Sequence, residues 1–434
     1  MRLLYGCLLR SLLPFFLLRL WWRGFKNPAY RQRWCERLGV YSSPSSLDHP
    51  LWIHAVSVGE VIAAAPLIKA LRAQSPTLPI LVTTTTPTGF ETVERVFGGG
   101  VAHAYFPYDY PSAVNRFLDH FAPRALLLME TELWPNVIHF CGRRGLPVFL
   151  VNGRLSEKSA RRYAFWENLI TPMLGQLSGA AMQTATDARR LCDLGADAAT
   201  VEITGSVKFD VSLPASIYEE AAALRRDLGV DRPILMAGST RPGEEPLLLA
   251  AFAALKVRFS SLLLILAPRH PERFVEVAEM CRKQGFTIQM RQHSTRCASG
   301  IEVFILDAMG ELARFYAASD VAFVGGSLVP LGGHNLLEPA ALGIPVVAGP
   351  HLFNFEEIAR KLTVGGALKI VHDPADLIEQ VAALLHDSDA RDRAGRSGHA
   401  IVESNRGATA RVLAMLARDS RLELAASTHR LSTH

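Results

Sequence analysis

Carboxylates follow two apolar runs in the first half of the chain. Glu60 closes the segment Ile53–Glu60, where a strand-like run passes into a helix-like pattern. Its carboxylate therefore falls in a first helical turn at the carboxyl end of a strand. Such a group either pairs with the helix dipole, for about 0.3–1 kcal/mol, or acts as a general base. Gly59 directly before it allows another molecule to approach closely.

The second strand end carries two acids, Glu130 and Glu132, in METELWPN at 129–136. On an extended segment the two side chains would point the same way, and one is available to pair with Arg154 or another base. Lys208 follows the last apparent strand of the first half, in GSVKF at 205–209. A lone lysine is usually solvated, but its place at the expected domain junction makes it a candidate functional residue.

Phosphate-binding chemistry is indicated after the first two strands of the second half. In AGSTRPGE at 237–244, glycines and hydroxyls could hold a phosphate that pairs with Arg241. Arg269 and His270 stand at the carboxyl edge of the next strand, in APRHP at 267–271. For each segment the alternative is a turn with a helix cap.

The strongest segment is GGSLVPLGGHNLLEP at 325–339. A strand runs into a glycine-rich loop, and we expect a helix to begin near Asn335. The backbone N–H groups of Gly332, Gly333 and His334 could form an anion-binding nest there. Glu338, one turn into the helix, could accept both hydroxyls of a ribose. The alternative is a tight turn with helix-packing glycines.

Other cofactor and metal motifs are missing from the sequence. Neither half contains GxGxxG or GxxxxGK[ST], which argues against dinucleotide redox chemistry and P-loop hydrolysis. Asp387-Ser-Asp389 follows a helical run and is interpreted as a cap of the next helix, not as a metal site. The six cysteines show no CxxC pairing, which fits a reducing compartment.

Positive charge is concentrated at the N-terminus. Residues 1–40 hold eight arginines and lysines against one acid, Glu36, a net +7. The other 394 residues hold 38 basic and 40 acidic groups. The body therefore lacks the basic stripe that nucleic-acid binding requires, and no nucleic-acid partner is expected.

The apolar stretch Leu3–Trp22 contains Arg10 and Pro14 and ends in two tryptophans, followed by five bases within residues 23–37. Its 20 residues are just long enough to cross a membrane core of about 30 Å. Three interpretations stay open: a single span, an amphipathic helix in the anionic interface, and a soluble hairpin. The first two imply an enzyme at a membrane surface, and the bases place its body on the cytoplasmic side.

The elements that must position these residues alternate as strands and helices in both halves, which predicts two doubly wound α/β domains with parallel sheets. Ligands bind outside the carboxyl ends of such strands, so the cleft between domains is the expected site. We divide the chain into a basic anchor segment (1–40), two domains (48–212 and 213–400) and a C-terminal helix with tail (401–434). The predicted strands are Leu51–Val56, Ile80–Thr85, Ala125–Met129, Pro147–Asn152, Ala180–Gln183, Val201–Thr204, Ile234–Ala237, Leu262–Ala267, Glu302–Leu306, Val321–Val324 and Pro345–Ala348.

Together these segments resemble the 3-deoxy-D-manno-octulosonic acid (Kdo) transferases of Gram-negative lipopolysaccharide assembly. The resemblance covers nearly the whole chain. Its motifs are SVGE at 57–60, TxTPTG at 84–89, METELWPN at 129–136, NGRLS at 152–156, GSVKFD at 205–210, AGSTR at 237–241, APRHPERF at 267–274 and GGSLVPLGGHNLLEPAALGIPVVAGP at 325–350.

The resemblance implies a GT-B fold of two Rossmann-like domains, with the last helix crossing back to the first. It implies an inverting transferase at the inner membrane that moves one or two Kdo residues from CMP-Kdo to lipid IVA, without a cofactor. By motif, Glu60 is similar to the general base, and Glu130 and Lys208 to the pair that stabilises the transition state. The implied CMP contacts are Pro268, Arg269, Met309, Gly310, Glu311, Asn335, Leu336, Leu337 and Glu338.

Two other classes remain as alternatives. One is another GT-B enzyme, a UDP-sugar transferase or a nucleotide-sugar 2-epimerase, which CMP would not protect. The other is a membrane-tethered nucleotide-sugar-binding protein without catalysis, in which Glu60→Gln would leave function intact. The residues that hold the acceptor's phosphates are open, with Arg154, Arg161 and Arg162 as candidates by location.

Overall fold

The computed structural model describes residues 1–43, 45–294 and 296–422. The chain forms two compact units. Unit 1 comprises Met1–Asp210 and the stretch that begins at Arg406, and unit 2 comprises Val211–Asn405.

Unit 1 is built on a parallel sheet that has seven strands in the described part of the chain, in the order β3-β2-β1-β4-β5-β6-β7. Every residue of its central strands is buried and most are apolar, as expected for a sheet covered on both faces. The strands are β1 (Leu51–His54), β2 (Ile80–Thr84), β3 (Ala102–Tyr105), β4 (Ala125–Met129), β5 (Val148–Gly153), β6 (Gly179–Met182) and β7 (Val201–Ile203).

The two faces of this sheet carry separate cores, because neighbouring side chains of a strand point to opposite faces. Leu51 and Ile53 pack in one core, and Trp52 between them packs in the other. The unit 1 helices are α1 (Arg2–Lys26), α2 (Trp34–Arg37), α3 (Val58–Gln74), α4 (Pro87–Phe97), α5 (Pro111–Phe121), α6 (Pro135–Arg143), α7 (Glu157–Ala164), α8 (Glu167–Leu174), α9 (Ala185–Asp193) and α18 (Ala408–Ala417).

Helix α18 completes unit 1 from the far end of the chain. Val412 and Leu416 are fully buried in the core that also contains Leu51 and Ile53. The carboxylate of Asp210 accepts hydrogen bonds from the backbone N–H groups of Gly407, at 2.7 Å, and Thr409, at 2.5 Å. The last residue before unit 2 therefore caps the first turn of the helix that follows unit 2.

Unit 2 repeats the plan. Its parallel sheet has seven strands within the described residues, in the order β10-β11-β9-β8-β12-β13-β14. The strands are β8 (Ile234–Thr240), β9 (Leu263–Pro268), β10 (Ile288–Met290), β11 (Val303–Ile305), β12 (Val321–Val324), β13 (Val346–Ala348) and β14 (Leu368–Ile370). The helices are α10 (Ile217–Leu228), α11 (Glu245–Arg258), α12 (Phe274–Lys283), α13 (Leu312–Ala317), α14 (Leu337–Ala341), α15 (Glu356–Val364), α16 (Pro374–His386) and α17 (Ser388–Asn405).

All eleven predicted strands are present, two of them with the predicted bounds, Ala125–Met129 and Val321–Val324. Three further strands, β3, β10 and β14, were not predicted. Each lies at an edge of its sheet and has three or four residues, of which two in β3, one in β14 and none in β10 are buried. A short strand that is covered less completely does not produce an apolar run.

Helix α1 has two different faces. Gly6 and Leu20 are buried against the rest of unit 1, and Gly24 is buried against Arg31. Arg2 Nη1 donates to Asn136 Oδ1 at 3.4 Å, and the Phe16 ring stacks on Tyr108 with centroids 5.7 Å apart. The opposite face is an exposed apolar stripe, which we call the outer stripe: Leu4, Leu8, Phe15, Leu18, Trp22 and Phe25. The segment Leu4–Phe25 is long and apolar enough to cross a membrane.

Candidate active site

Both sheets reverse their strand order at one point, and ligands bind there in doubly wound folds. In unit 1 the reversal lies between β1 and β4, which pair directly. Glu60 follows the end of β1, and Glu130 and Glu132 follow the end of β4. The topology therefore brings three carboxylates to the expected ligand-binding edge of the sheet.

Glu60 occupies the first turn of α3, as predicted, and its side chain turns back toward the strand end. The Val56 N–H donates to Oε2 at 2.8 Å, and the Ser57 hydroxyl donates to Oε1 at 3.2 Å. Burial raises the pKa of Glu60 to about 8, the Val56 N–H opposes this, and the charges of Glu132 and Glu130 add to it. A carboxylate whose pKa lies near the working pH is suited to proton transfer.

Glu130 contradicts the expectation of an extended segment. Strand β4 ends at Met129, and Glu130 lies in a turn with φ of 55°. Its Oε1 lies 2.9 Å from Lys208 Nζ, with about a quarter of each side chain exposed. Lys208 is therefore a base that pairs with this acidic segment. The ion pair between Glu130 and Lys208 therefore holds both charges in place at the end of β4.

Asn152 positions Lys208, and the sequence analysis missed it. It is fully buried in β5 with φ of 57°, a conformation that asparagine adopts more readily than most residues. Its Oδ1 accepts the N–H of Val207 at 3.2 Å, and its backbone carbonyl accepts Gln183 Nε2 at 2.9 Å. The available signal was an asparagine at a strand end, which is a common turn residue.

Glu132 is the third carboxylate of this edge. Burial raises its pKa to about 7, and the negative charge of Glu130 adds to the increase. The backbone carbonyl of Arg154 accepts the Thr131 hydroxyl, which ties this turn to the end of β5. Of the candidates for acceptor phosphates, Arg161 pairs with Glu157 on the exposed surface of α7.

In unit 2 the strand order reverses between β8 and β12. Four basic side chains gather there: Arg241 after β8, Arg269 and His270 after β9, and His334 after β12. Arg241 hydrogen-bonds His270 Nε2. Burial lowers the pKa of His334 to about 4, and the positive charges of Arg269, Arg241 and His270 lower it further. A cluster of this kind is complementary to a phosphate or carboxylate.

The predicted nest in the glycine-rich loop is wrong in one of its three donors. Gly332 and Gly333 do have positive φ, 90° and 77°. The Gly333 N–H, however, donates to the carbonyl of Gly326 at 2.7 Å and closes the loop on itself. The helix begins two residues later than predicted, at Leu337, and α14 has only five residues.

Glu244 shapes this loop and was not singled out in the sequence. Its fully buried carboxylate accepts the N–H groups of Gly326 at 2.7 Å and of Ser327 and Leu328 at 2.9 Å. It also accepts the Arg241 N–H at 2.9 Å. An internal carboxylate therefore accepts the backbone donors at the start of the loop, whereas the predicted nest lies at the other end, at 332–334. The motif PGEE at 242–245 gave no sign that the distant loop supplies the donors.

The remaining predicted donor contacts lie at neighbouring strand ends of unit 2. Asn335 Nδ2 donates to Glu338 Oε1 at 3.1 Å. Burial raises the pKa of Glu338, whereas that hydrogen bond and the charge of Arg269 lower it. Glu311 is held by Arg291, at 2.8 Å, and by Arg314, at 2.9 Å.

The turn before Glu311 contains an exposed Met309 and Gly310 with φ of 85°. Pro268 is the last residue of β9, Leu336 precedes α14, and Leu337 is its first residue.

Among the described residues, no group of three or more histidine, cysteine or acidic side chains could hold a metal ion. Asp387 caps α17, as predicted, because its Oδ1 accepts the N–H of Ala390 at 2.8 Å.

Two family models match the chain. Residues 32–211 match the model described as 3-deoxy-D-manno-octulosonic-acid transferase (kdotransferase), and residues 246–400 match glycosyl transferases group 1. A 3-deoxy-D-manno-octulosonic acid transferase from Haemophilus influenzae is 42% identical over 96% of this chain and 98% of its own. The protein of the same name from Bordetella pertussis is 38% identical over 94% of this chain and 97% of its own.

Among solved structures, the fold resembles S. aureus MnaA in its co-structure with UDP. The TM-score is 0.54 at 15% identity, covering 86% of this chain and 98% of that one. At this identity the likeness concerns the fold alone. With the two parallel sheets and the glycosyl transferase match, it confirms the predicted GT-B fold class.

Proposed function

Because the chain belongs to the 3-deoxy-D-manno-octulosonic acid transferases, we propose that it moves Kdo from CMP-Kdo to lipid IVA, one or two residues in turn. The family establishes a glycosyltransferase that handles Kdo. The donor, the acceptor and the number of transfers are our proposal. The observation that supports it most is Glu60, a buried carboxylate with a pKa of about 8 at the reversal point of the unit 1 sheet.

The proposed step is a single displacement. The carboxylate of Glu60 takes the proton of an acceptor hydroxyl while that oxygen bonds to the anomeric carbon of Kdo. The bond between this carbon and the CMP phosphate oxygen breaks, and its electron pair leaves with CMP. Because the nucleophile enters opposite the leaving group, the anomeric configuration inverts.

The other two residues that we assign to catalysis supply fixed charge. Lys208 is held by Glu130 at 2.9 Å and by the turn that Asn152 fastens. Charges that are already oriented need no rearrangement as the transition state forms, and this is the usual source of electrostatic stabilisation in enzymes. We therefore assign Glu130 and Lys208 to stabilisation of the transition state.

We assign unit 2 to the donor. CMP-Kdo carries a phosphate and a sugar carboxylate, two anions that Arg241, Arg269 and His270 would attract. We assign recognition of the donor's hydroxyl groups to the Asn335–Glu338 pair. One carboxylate oxygen of Glu338 accepts the Asn335 amide, and the second oxygen is the one that we assign to a donor hydroxyl. The assigned donor contacts are Pro268, Arg269, Met309, Gly310, Glu311, Asn335, Leu336, Leu337 and Glu338.

We further propose that the enzyme works at the inner membrane, with its body on the cytoplasmic side. The exposed outer stripe of α1 and the net +7 of residues 1–40 support this. Apolar residues beside arginines and lysines are the combination that binds anionic lipid surfaces. A phosphorylated lipid acceptor would be met at the same surface.

The test is a transfer assay with lipid IVA and CMP-Kdo generated in place, with products identified by mass. Wild type should add Kdo. Glu60→Gln should lose transfer by a factor of about 10² or more, as expected for removal of a general base, while CMP binding is retained. Glu94→Gln is the matched control, because Glu94 is exposed on α4.

Two outcomes would contradict the proposal. Transfer by Glu60→Gln at the wild-type rate would remove Glu60 from its role. Absence of any Kdo product from folded wild type, together with protection by UDP but not by CMP, would replace the proposed donor.

A further inference from the structure

A cavity of about 430 Å³ lies between α1 and the body of unit 1. Ligand pockets in proteins typically enclose about 300–1,000 Å³, so this volume suffices for part of a substrate. Its wall on the α1 side consists of the body-facing residues Leu9, Leu13, Phe16 and Leu20. The wall opposite is also largely apolar and includes Phe106 and Trp134.

The cavity wall also carries positive charge. Arg19, Arg23 and Arg37 line it. Arg37 is only 3% exposed, and its buried Nε has no hydrogen-bond partner within the described residues. Its guanidinium lies 4.1 Å from the centroid of the Tyr105 ring. Burial lowers the pKa of Arg37.

No carboxylate in the described part of the chain forms an ion pair with any of these three arginines. Glu36, the acid nearest in sequence, is engaged by Arg33 at 2.5 Å. Asp109 also lines the cavity, but its two oxygens accept the N–H groups of Asn136 and Val137. A buried cation without a counter-charge is costly. These arginines therefore lack an ion-pair partner among the described side chains, and an anion bound in the cavity would supply one.

The cavity also borders the candidate active site. Val56 and Glu132 line it, and the Val56 N–H is the group that holds the Glu60 carboxylate. An occupant of the cavity would consequently lie beside both the arginines and the segment that holds the proposed base. Its chemistry follows from the lining: an apolar chain against the apolar walls and a phosphate at the arginines.

The packing of α1 indicates how such a molecule arrives. Contacts to the body run from Arg2 to Leu20, so the helix cannot cross a bilayer without carrying the body into it. It lies along the body with the outer stripe exposed, as an in-plane membrane helix does. A lipid at the membrane surface would then meet the cavity directly behind this helix.

We propose that this cavity is the acceptor's acyl-chain and phosphate subsite, with Arg37 as a phosphate-binding residue. The proposal rests on the proposed function, because the occupant is the lipid substrate and not a structural phospholipid. It makes the inner face of α1 part of the substrate site. The helix would then determine which acceptors are used as well as where the enzyme resides.

The experiment compares acceptors in detergent micelles with the full-length enzyme. Leu13→Trp fills the cavity, and Leu12→Trp places the same side chain on the exposed side of the same helix. The acceptors are the acylated glucosamine disaccharide bisphosphate and the same bisphosphate without acyl chains. Loss of contact for only two methylene groups corresponds to about tenfold in affinity.

Leu13→Trp should raise KM for the acylated acceptor about tenfold or more. It should leave kcat and KM for the deacylated acceptor and for CMP-Kdo at the wild-type values. Leu12→Trp should change neither. Arg37→Met, which keeps the side-chain length, should raise KM for both bisphosphates and not for an acylated acceptor without phosphates.

Three results would overturn the subsite. The first is an equal KM of Leu13→Trp and Leu12→Trp for the acylated acceptor. The second is an equal increase in the KM of Leu13→Trp for the acylated and the deacylated acceptor. The third is weaker binding of Leu13→Trp to anionic vesicles together with an unchanged KM in micelles. The last result would assign the cavity to a bilayer phospholipid. Failure of the proposed function is recognised separately, because wild type would then transfer Kdo to neither acceptor.

Discussion

The raised pKa of Glu60 gives the proposed reaction a measurable dependence on pH. At a pKa of about 8 the base is ionised in roughly one molecule in a hundred at pH 6 and in about half of the molecules at pH 8. The kcat/KM value at limiting acceptor should therefore rise about tenfold per pH unit below neutrality and level off above pH 8. The increase in the pKa of Glu60 from 4.5 to about 8 corresponds to about 5 kcal/mol of free energy in favour of the protonated form.

Glu132→Gln is the perturbation that tests the origin of this value. Burial is the largest cause of the raised pKa, and the charge of Glu132 adds to it. Removing that charge should lower the inflection of the kcat/KM profile by roughly one pH unit at most, and leave it well above 4.5 because burial remains. At pH 6.5 the variant should then show a larger fraction of its maximal rate than wild type does.

The assay is initial-rate transfer from pH 5.5 to 9.5, with kcat/KM for the acceptor fitted at each pH. Glu94→Gln should reproduce the wild-type profile. A wild-type profile that is flat across this range would refute the assignment of Glu60 as a buried base. An inflection that Glu132→Gln leaves in place, or moves upward, would refute the electrostatic coupling between these carboxylates.

Three further results are expected. Relative to wild type, Glu60→Gln should stabilise the fold increasingly from about pH 4.5 to pH 8, because over that range the unfolded wild-type chain ionises Glu60 while the native state keeps the proton. Calorimetry at pH 5 and pH 8 measures the difference in Tm between the variant and wild type. Lys208→Met should lower kcat by about 10²–10³ without changing the Kd for CMP, measured by steady-state rates and titration. Glu244→Ala leaves four backbone donors without their acceptor, at about 1–3 kcal/mol each, and should weaken CMP binding and lower stability in urea.

Exposed residues of the same type serve as controls. Lys158→Met on α7 should keep the wild-type kcat, and Glu279→Ala on α12 should keep CMP affinity and urea stability. A larger Tm gain for Glu60→Gln at pH 5 than at pH 8 would reverse the sign that burial predicts. Full activity of Lys208→Met would contradict the role of Lys208 in stabilising the transition state. Full CMP affinity of Glu244→Ala would contradict the role of Glu244 in shaping the donor site.

The fold was predictable from the sequence where strands are central. Buried parallel strands such as β4 and β12 are continuous apolar runs, so their bounds follow from hydropathy. The edge strands β3, β10 and β14 are short and at most partly buried, and they leave no comparable run, although the equally short edge strand β7 was predicted. Hydrogen bonds to a neighbouring strand hold these three strands in the sheet. Such strand pairing cannot be predicted from the sequence of a single segment.

The candidate site was predictable in its residue types and less so in its contacts. Glu60 follows from its place after a strand, because the carboxyl end of a parallel strand fixes the edge where it lies. The Glu130–Lys208 pair joins positions far apart in sequence, and spacing alone assigned neither partner. Glu244 and Asn152 act through backbone N–H groups of remote segments, which no local pattern reports.

The capping of α18 by Asp210 also constrains how the protein is made. Val412 and Leu416 of that helix fill part of the core that also contains Leu51 and Ile53, so unit 1 lacks part of its interior until the ribosome has passed residue 416. Unit 2, which is continuous in sequence, can complete its own core first. Domains generally fold in order of synthesis, whereas here the part of the chain that is translated first is completed last. In the meantime the ribosome-bound chain already carries α1, whose outer stripe can associate with lipid while the carboxylates of the candidate site still await their final surroundings.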